Sequence, residues 1–359
     1  MRTKCGCLVL SCLLNFSSYA YAENRQIKLI HNFTKEPTSQ DIFLDANSFF
    51  PMKSFLEKQD ISITCSDMKE YPFFHKPTFL TKFFDSCLKL IGQDAHTQFT
   101  NDTTSSFVFW NIPQYISKTQ LKKVHSQKFI LFAWEPPTVH PSLYRKRYEG
   151  CFSKIYTWND DLVDNKKFFK FFYPVHVPMQ ENLPAFKERK LCTLLGTNRT
   201  SKHPYALYDE RKKVVGFFET KDAADFDFYG RGWTDQPYKH YKGSVEDKYA
   251  TLKSYRFSIC YENMTHIKGY ITEKIFDCFA VGNIPVYLGA TNIEDYIPKN
   301  CFIDRRDFSS DEQLYAFMES MSEETYNDYV SHIAQFLQSE QALLFSKEHF
   351  VKTFYEAVK

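Results

Sequence analysis

The chain has 359 residues, of which 45 are Lys or Arg and 43 are Asp or Glu, so its formal net charge at pH 7 is +2. A chain of this length can bury a large core, and we expect two domains of ordinary size. Because the net charge is close to zero, no overall field attracts nucleic acid or an anionic membrane surface, and an anionic ligand must be held by local groups. We therefore expect no nucleic-acid partner.

Residues 1–22 have the pattern of a signal peptide. Arg2 and Lys4 precede an apolar run that ends at Ala20-Tyr21-Ala22, before the first acidic residue. Polar residues interrupt the run, which is marginal against the ~20 apolar residues needed to span a bilayer. Cleavage after Ala22 is favoured, and a retained membrane anchor is the alternative. The segment predicts an exported, secretory-pathway or membrane-associated protein, with the cytoplasmic face left open.

After this leader, apolar runs rich in β-formers alternate with helical patterns. Over residues 23–178 the runs are IKLIHNF, ISITCS, SFVFWNI, KFILFAWE, SKIYTWN and FKFFYPV. A second series over residues 185–325 runs from LCTLLGT to IPVYLG, and residues 326–359 read as amphipathic helices. Strand-helix alternation is typical of mainly parallel α/β sheets, so we expect two Rossmann-like domains that face each other across a cleft.

Ligands of open α/β sheets bind beyond the carboxyl ends of the strands. That rule selects four segments that directly follow predicted strands: WEPP, GTNRTSKHP, YENMTHIKGY and YGRGW. Thr197 lies in the second of these segments and is a candidate for ligand binding.

Glu135 follows the strand KFILFAW and precedes two prolines. A carboxylate at this point can act as a general base, since burial beside Trp134 would raise its pKa towards the working range. The alternative is a glutamate that hydrogen-bonds the next loop and orients it.

Glu273 and Lys274 occupy the first turn of a predicted helix whose other face is apolar. A lysine at a helix N-terminus suits a phosphate, and a neighbouring glutamate can accept hydrogen bonds from ribose hydroxyls. The alternative is a solvated pair of charges on an exposed turn. The chain has neither GxGxxG nor GxxxxGK[ST], so no dinucleotide fingerprint or P-loop is indicated.

We assign no metal. Asp225 and Asp227 in DFDFYG can be read as a metal-binding pair, but strand alternation predicts that both are solvated. The histidines are scattered, without a Cys/His cluster. Cys192, Cys260 and Cys278 lie in apolar runs and are expected to be small buried hydrophobic residues.

The segment YRFSICYENMTHIKGYITEKIFDCFAVGNIPVYLGATNIEDYIPKNCFIDRRDF resembles the signature of the α1,3-fucosyltransferases, glycosyltransferase family 10. Its order is strand, Glu-Asn, short loop, Gly-Tyr-x-Thr-Glu-Lys, helix and Pro-Val strand. FAWEPPTVHPSLY resembles the family segment that carries the proposed base, and GTNRTSKHPYALYDERKKVVGFFE resembles the first loop and helix of its donor domain.

The resemblance implies a GT-B fold with an N-terminal acceptor domain, a C-terminal domain for GDP-fucose, and terminal helices that pack back across. It implies transfer of fucose from GDP-β-L-fucose, with inversion, to the 3- or 4-hydroxyl of N-acetylglucosamine in a glycan. Glu135 would be the general base, Glu273 the ribose contact and Lys274 the diphosphate contact. Asn263 and Tyr270 would line the donor pocket, and no metal would be required.

The family also uses an arginine early in the first donor-domain helix, and the matching position here falls at His203-Pro204. Arg211 or Arg199 can substitute, and Arg211 ranks first because its helical position is firmer. Two alternatives stay open: a GT-B enzyme that uses another nucleotide sugar, and a non-catalytic glycan-binding homologue.

Overall fold

The computed structural model describes residues 25–31, 54–67, 105–111, 129–221 and 225–359. The predicted leader at residues 1–22 and the two helical patterns at residues 78–91 and 117–128 lie outside these ranges. Within the part of the chain described, no helix combines the length and the apolar character that crossing a membrane requires.

Two parallel sheets organise the fold, and the strands of the second sheet are mostly buried, as are β3, β4 and β5 of the first. The first sheet has the order β2-β1-β3-β4-β5-β6. Its strands are β1 Arg25–His31, β2 Ile61–Asp67, β3 Ser105–Trp110, β4 Phe129–Ala133, β5 Lys154–Thr157 and β6 Phe168–Lys170. All five neighbouring pairs run parallel. The apolar runs of the N-terminal half therefore form the sheet predicted for them.

The second sheet has the order β11-β10-β9-β7-β8, again with parallel pairs. Its strands are β7 Lys190–Leu195, β8 Phe226–Tyr229, β9 Tyr255–Tyr261, β10 Ile284–Leu288 and β11 Ile303–Asp304. The α-helices of the described C-terminal part are α1 Tyr208–Glu219, α2 Lys248–Lys253, α3 Glu273–Phe279, α4 Asp311–Ser320, α5 Glu323–Leu337, α6 Glu340–Leu343 and α7 Lys347–Val358. Gly282, with φ of 61°, follows α3 in the left-handed conformation that commonly ends a helix.

Helix α7 returns from the second sheet to the first. Its residues Phe350, Val351 and Phe354 belong to the same buried cluster as Trp110 and Phe132 of the first sheet. The ring of Phe354 stacks on that of Phe132 with centroids 5.5 Å apart. The last helix of the chain thus completes the core of the first sheet.

A polar cluster also joins the two sheets. The carboxylate of Asp160, after β5, accepts hydrogen bonds from Asn292 Nδ2 at 3.0 Å and from the hydroxyl of Tyr296 at 2.8 Å, both after β10. Lys170 Nζ, at the end of β6, lies 2.5 Å from the other oxygen of Asp160. This cluster ties the loops of one sheet to those of the other beside the cleft.

Asp227 corrects one expectation. Its side chain is not solvated but buried, with Lys190 Nζ at 2.7 Å, Lys242 Nζ at 3.2 Å and the hydroxyl of Tyr255 at 2.6 Å. The error arises because these side chains cover the polar face of β8, whereas Asp225 is exposed as predicted. Cys192, Cys260 and Cys278 are buried free thiols, as the sequence predicted.

Candidate active site

A cavity of about 380 Å³ lies where the carboxyl ends of strands from the two sheets meet. Small-molecule sites commonly have volumes of about 300–1,000 Å³, so this cavity is large enough for a ligand. Six of the predicted site residues line it: Glu135, Thr197, Arg211, Asn263, Glu273 and Lys274. Sequence positions more than a hundred residues apart are therefore brought to one place by the strand ends.

Tyr270 is the predicted site residue that does not line the cavity. It is 2% exposed, and its ring lies 4.6 Å from that of Trp158, between centroids. Its hydroxyl accepts a hydrogen bond from Asn263 Nδ2 at 3.4 Å. The structure thus places Tyr270 behind the cavity wall, where it supports Asn263.

The backbone that carries Glu135 is held from several sides. Asn111, at the end of β3, accepts hydrogen bonds through Oδ1 from the amides of Trp134 at 3.0 Å and Glu135 at 2.9 Å. The hydroxyl of Tyr144 donates to the Glu135 carbonyl at 2.8 Å, and the indole of Trp158 donates to the Trp134 carbonyl at 3.1 Å. These bonds leave the carboxylate of Glu135 few ways to move except rotation of its own side chain.

The environment of Glu135 favours a proton acceptor. Burial raises the pKa of its carboxyl above the ordinary value, and the negative charge of Glu273 raises it further. The nearby charges of Lys274 and Arg199 oppose this shift. A carboxylate with a raised pKa is a stronger base than an exposed one while it remains ionised.

Lys274 is an oriented cation rather than a solvated charge. Its side chain is 22% exposed, and Nζ lies 3.1 Å from Glu262 Oε2 and 3.4 Å from Glu273 Oε1. Although burial opposes its charge, these two carboxylates raise the pKa of Lys274 above its ordinary value. Lys274 is therefore not the solvated charge that the alternative interpretation predicted. The side chain of Glu273 is 52% exposed.

Glu262 is a residue to which the sequence interpretation gave no role. Its side chain is completely buried at the end of β9. It accepts hydrogen bonds from the Thr272 amide and the Thr272 hydroxyl, both at 2.8 Å, besides the contact with Lys274. The available signal was a glutamate directly after a predicted buried strand. Glu262 positions both the start of α3 and the ammonium group of Lys274.

Arg211, the arginine that the sequence ranked first, lies on the helix as expected. Helix α1 begins at Tyr208, so His203-Pro204 lies in the preceding loop and Arg211 lies in the first turns of the helix. Arg211 is 5% exposed, and Nη2 donates to the Tyr261 carbonyl at 2.6 Å and to Asn263 Oδ1 at 3.0 Å. Arg199 also lines the cavity, in the more exposed loop after β7.

Comparison with known proteins agrees with this geometry. Residues 184–354 match the family model described as glycosyltransferase family 10 (fucosyltransferase), C-terminal part. The chain is 27% identical over 199 residues to 4-galactosyl-N-acetylglucosaminide 3-alpha-L-fucosyltransferase 9 of Rattus norvegicus, over 54% of this chain and 49% of that protein. It is 31% identical over 83 residues to alpha-(1,4)-fucosyltransferase of Arabidopsis thaliana, over 23% of this chain and 20% of that protein. The chain thus spans at most about half the length of these two curated relatives.

Solved structures show the same architecture at low sequence identity. An α1,3-fucosyltransferase with GDP superposes with a TM-score of 0.54 at 14% identity, over 94% of this chain and 92% of that one. An α-glucosyltransferase in complex with UDP and DNA superposes with a TM-score of 0.52 at 12% identity, over 93% and 100%. The fold is therefore GT-B, as predicted. Residues 184–354 of this chain are therefore similar to glycosyltransferase family 10, the fucosyltransferase family.

Proposed function

We propose that the protein transfers L-fucose from GDP-β-L-fucose, with inversion, to the 3- or 4-hydroxyl of N-acetylglucosamine in a glycan acceptor. The observation that carries the proposal is that Glu135 of the first sheet and Lys274 of the second line one cavity. The match of residues 184–354 to the fucosyltransferase family model supports the choice of sugar.

In the proposed reaction, Glu135 takes the proton of the acceptor hydroxyl as its oxygen attacks the anomeric carbon of fucose. The bond from that carbon to the diphosphate oxygen breaks, and its electron pair leaves with GDP. Lys274 and Arg211 supply positive charge where negative charge develops, which lowers the barrier. Glu273 is proposed to accept hydrogen bonds from ribose hydroxyls, and Asn263 and Thr197 to line the donor site. We propose that GDP leaves without the help of a metal.

Two other functions are considered: a glycosyltransferase with another sugar donor, and a non-catalytic glycan-binding protein. An α-glucosyltransferase in complex with UDP has the same fold, so the fold by itself does not determine the donor. A non-catalytic glycan-binding protein is disfavoured, because a buried base and an oriented cation in one cavity have no evident use in binding alone.

The first test is a transfer assay with the purified full chain and N-acetyllactosamine. We expect product from labelled GDP-fucose at the same rate with and without EDTA, and none from GDP-mannose or UDP-glucose. Transfer from UDP-glucose alone would overturn the donor assignment, and loss of product on adding EDTA would overturn the metal-free proposal. Saturable GDP binding without turnover on a panel of acceptors would favour the glycan-binding alternative.

The raised pKa of Glu135 predicts a pH dependence. Glu135 acts as a base only when ionised, so kcat should fall as the pH is lowered through its pKa, which lies above the ordinary value of 4.5. Replacing Glu273 with Gln removes a charge that raises this pKa, and the acid limb of the kcat profile should shift to lower pH. Profiles of both proteins at saturating donor test this expectation. A shift to higher pH would contradict it.

A further inference from the structure

One part of the cavity remains without a role. Lys248, the first residue of α2, and Asp277 of α3 both line it, and Lys248 Nζ lies 2.8 Å from Asp277 Oδ2. Asp277 is 7% exposed, whereas the side chain of Lys248 is 43% exposed. The cavity is thus lined by a buried hydrogen-bond acceptor, Asp277, and a partly exposed hydrogen-bond donor, Lys248.

Asp277 lies beyond Glu273 and Lys274 along α3. It follows Lys274 by three residues and Glu273 by four, which is about one helical turn, or about 5 Å along the axis. The charge of Glu273 acts on the carboxyl groups of both Glu135 and Asp277, whereas Lys248 acts on that of Asp277. Along α3, Asp277 with Lys248 therefore lies beyond Glu273 and Lys274, and Glu273 is the charge that acts on both other carboxyl groups.

The walls beside Asp277 are apolar. Leu252 follows Lys248 by one turn of α2, Cys278 is the next residue of α3, and both line the cavity with Ile259 of β9. A flat aromatic ring can bury its faces against such side chains and leave its polar edge for one or two specific hydrogen bonds. This composition differs from the charged region around Lys274 and suits a nucleobase better than a phosphate.

We infer that Asp277 reads the guanine base of the donor by accepting hydrogen bonds from its N1–H and its 2-amino group, with Lys248 facing the O6 carbonyl. The inference rests on the proposed function and explains how the site would select GDP over UDP. Guanine presents an acceptor and two adjacent donors on this edge, and a lysine beside a carboxylate is the complementary pattern. Uracil presents one N–H between two carbonyl oxygens, so one of its acceptors would face the carboxylate.

The carboxylate has the capacity for this role. An ionised carboxyl group has about four acceptor positions, and hydrogen bonds from Lys248 and Tyr249 occupy two of those of Asp277, which leaves two for a base. Burial raises the pKa of Asp277 to about 6, against the opposing charge of Lys248, so the group is still largely ionised at neutral pH. The simpler interpretation is an ion pair that only joins α2 to α3, and the test must separate the two.

The test is a calorimetric cycle with GDP and inosine diphosphate, which differs from GDP by lacking the 2-amino group. We expect the wild-type chain to bind GDP about 10- to 100-fold more tightly than inosine diphosphate, the usual worth of a hydrogen bond to a charged group. In Asp277→Asn this ratio should fall to near one. In Lys248→Met, which breaks the same ion pair but keeps the carboxylate, the ratio should persist.

The ratio is measured within each protein, so a general loss of stability does not change it. An unchanged ratio in Asp277→Asn, or equal binding of both nucleotides by the wild-type chain, would overturn the inference while leaving GDP as the proposed donor product. A wild-type chain that binds neither nucleotide would remove the proposed function, and this inference with it.

Discussion

Replacing Glu135 with Gln is expected to lower kcat for fucose transfer by about 10²–10⁴-fold, the usual contribution of a positioned general base. Glutamine has nearly the same shape but cannot accept the acceptor's proton. The backbone at this point is held by Asn111, Tyr144 and Trp158, so the substitution should leave the local structure intact. Steady-state assays at saturating donor and acceptor give kcat, and calorimetry gives the affinity for GDP, which should change little.

The matched control is Glu181→Gln, the same chemical change at an exposed position in the segment that connects β6 to β7. It should have wild-type kcat and GDP affinity. Normal turnover by Glu135→Gln would show that Glu135 is not the base. Glu273 would then be the next carboxylate to test, because it lines the same cavity.

Replacing Lys274 with Met is expected to have the second-largest effect, on donor binding and on stability together. Loss of a charge-assisted contact to the diphosphate should weaken GDP binding about 10- to 100-fold. The substitution also leaves Glu262, which is completely buried, without its cationic partner. Breaking such a pair costs about 3–5 kcal/mol of folding free energy when both groups are buried, and we expect about 3 kcal/mol because Lys274 is partly exposed. Calorimetry and denaturant unfolding measure the two effects.

The double variant Glu262→Gln, Lys274→Met separates these two effects. It removes the buried charge along with its partner, so stability should largely recover while GDP binding remains weak. Wild-type GDP affinity in Lys274→Met would show that Lys274 does not hold the diphosphate. A double variant no more stable than Lys274→Met would show that the stability loss has another cause.

Local sequence patterns predicted the strands well because each buried parallel strand is a continuous apolar run bounded by polar residues. The same rule placed Glu135 correctly, since a charged residue directly after such a run lies at the carboxyl end of the sheet. The start of α1 was less predictable. Tyr205 to Leu207 fits a helical pattern, but the helix begins at Tyr208. Arg211 still lies on this helix and lines the cavity, as expected.

Contacts between distant segments explain what the sequence could not predict. Asn111 supports Glu135 from a neighbouring strand, and Glu262 supports Lys274 from across the β9–α3 loop. Asp277 lies opposite the apolar face of α3 and is nevertheless buried, and its pairing with Lys248 shows how a carboxylate is accommodated there. Such roles depend on which strand ends meet, and single-sequence periodicity contains no information about that.

The return of helix α7 to the first sheet has a consequence for how the protein is made. The first sheet is the earlier part to leave the ribosome, yet Phe350, Val351 and Phe354 fill its core. Until residues 347–358 have been synthesised, the core of that sheet lacks these three side chains, whereas domains generally fold as units in the order of synthesis. The described core of the first sheet is therefore completed only after residues 347–358 have been synthesised, and the apolar surface that they cover is open to aggregation during that delay.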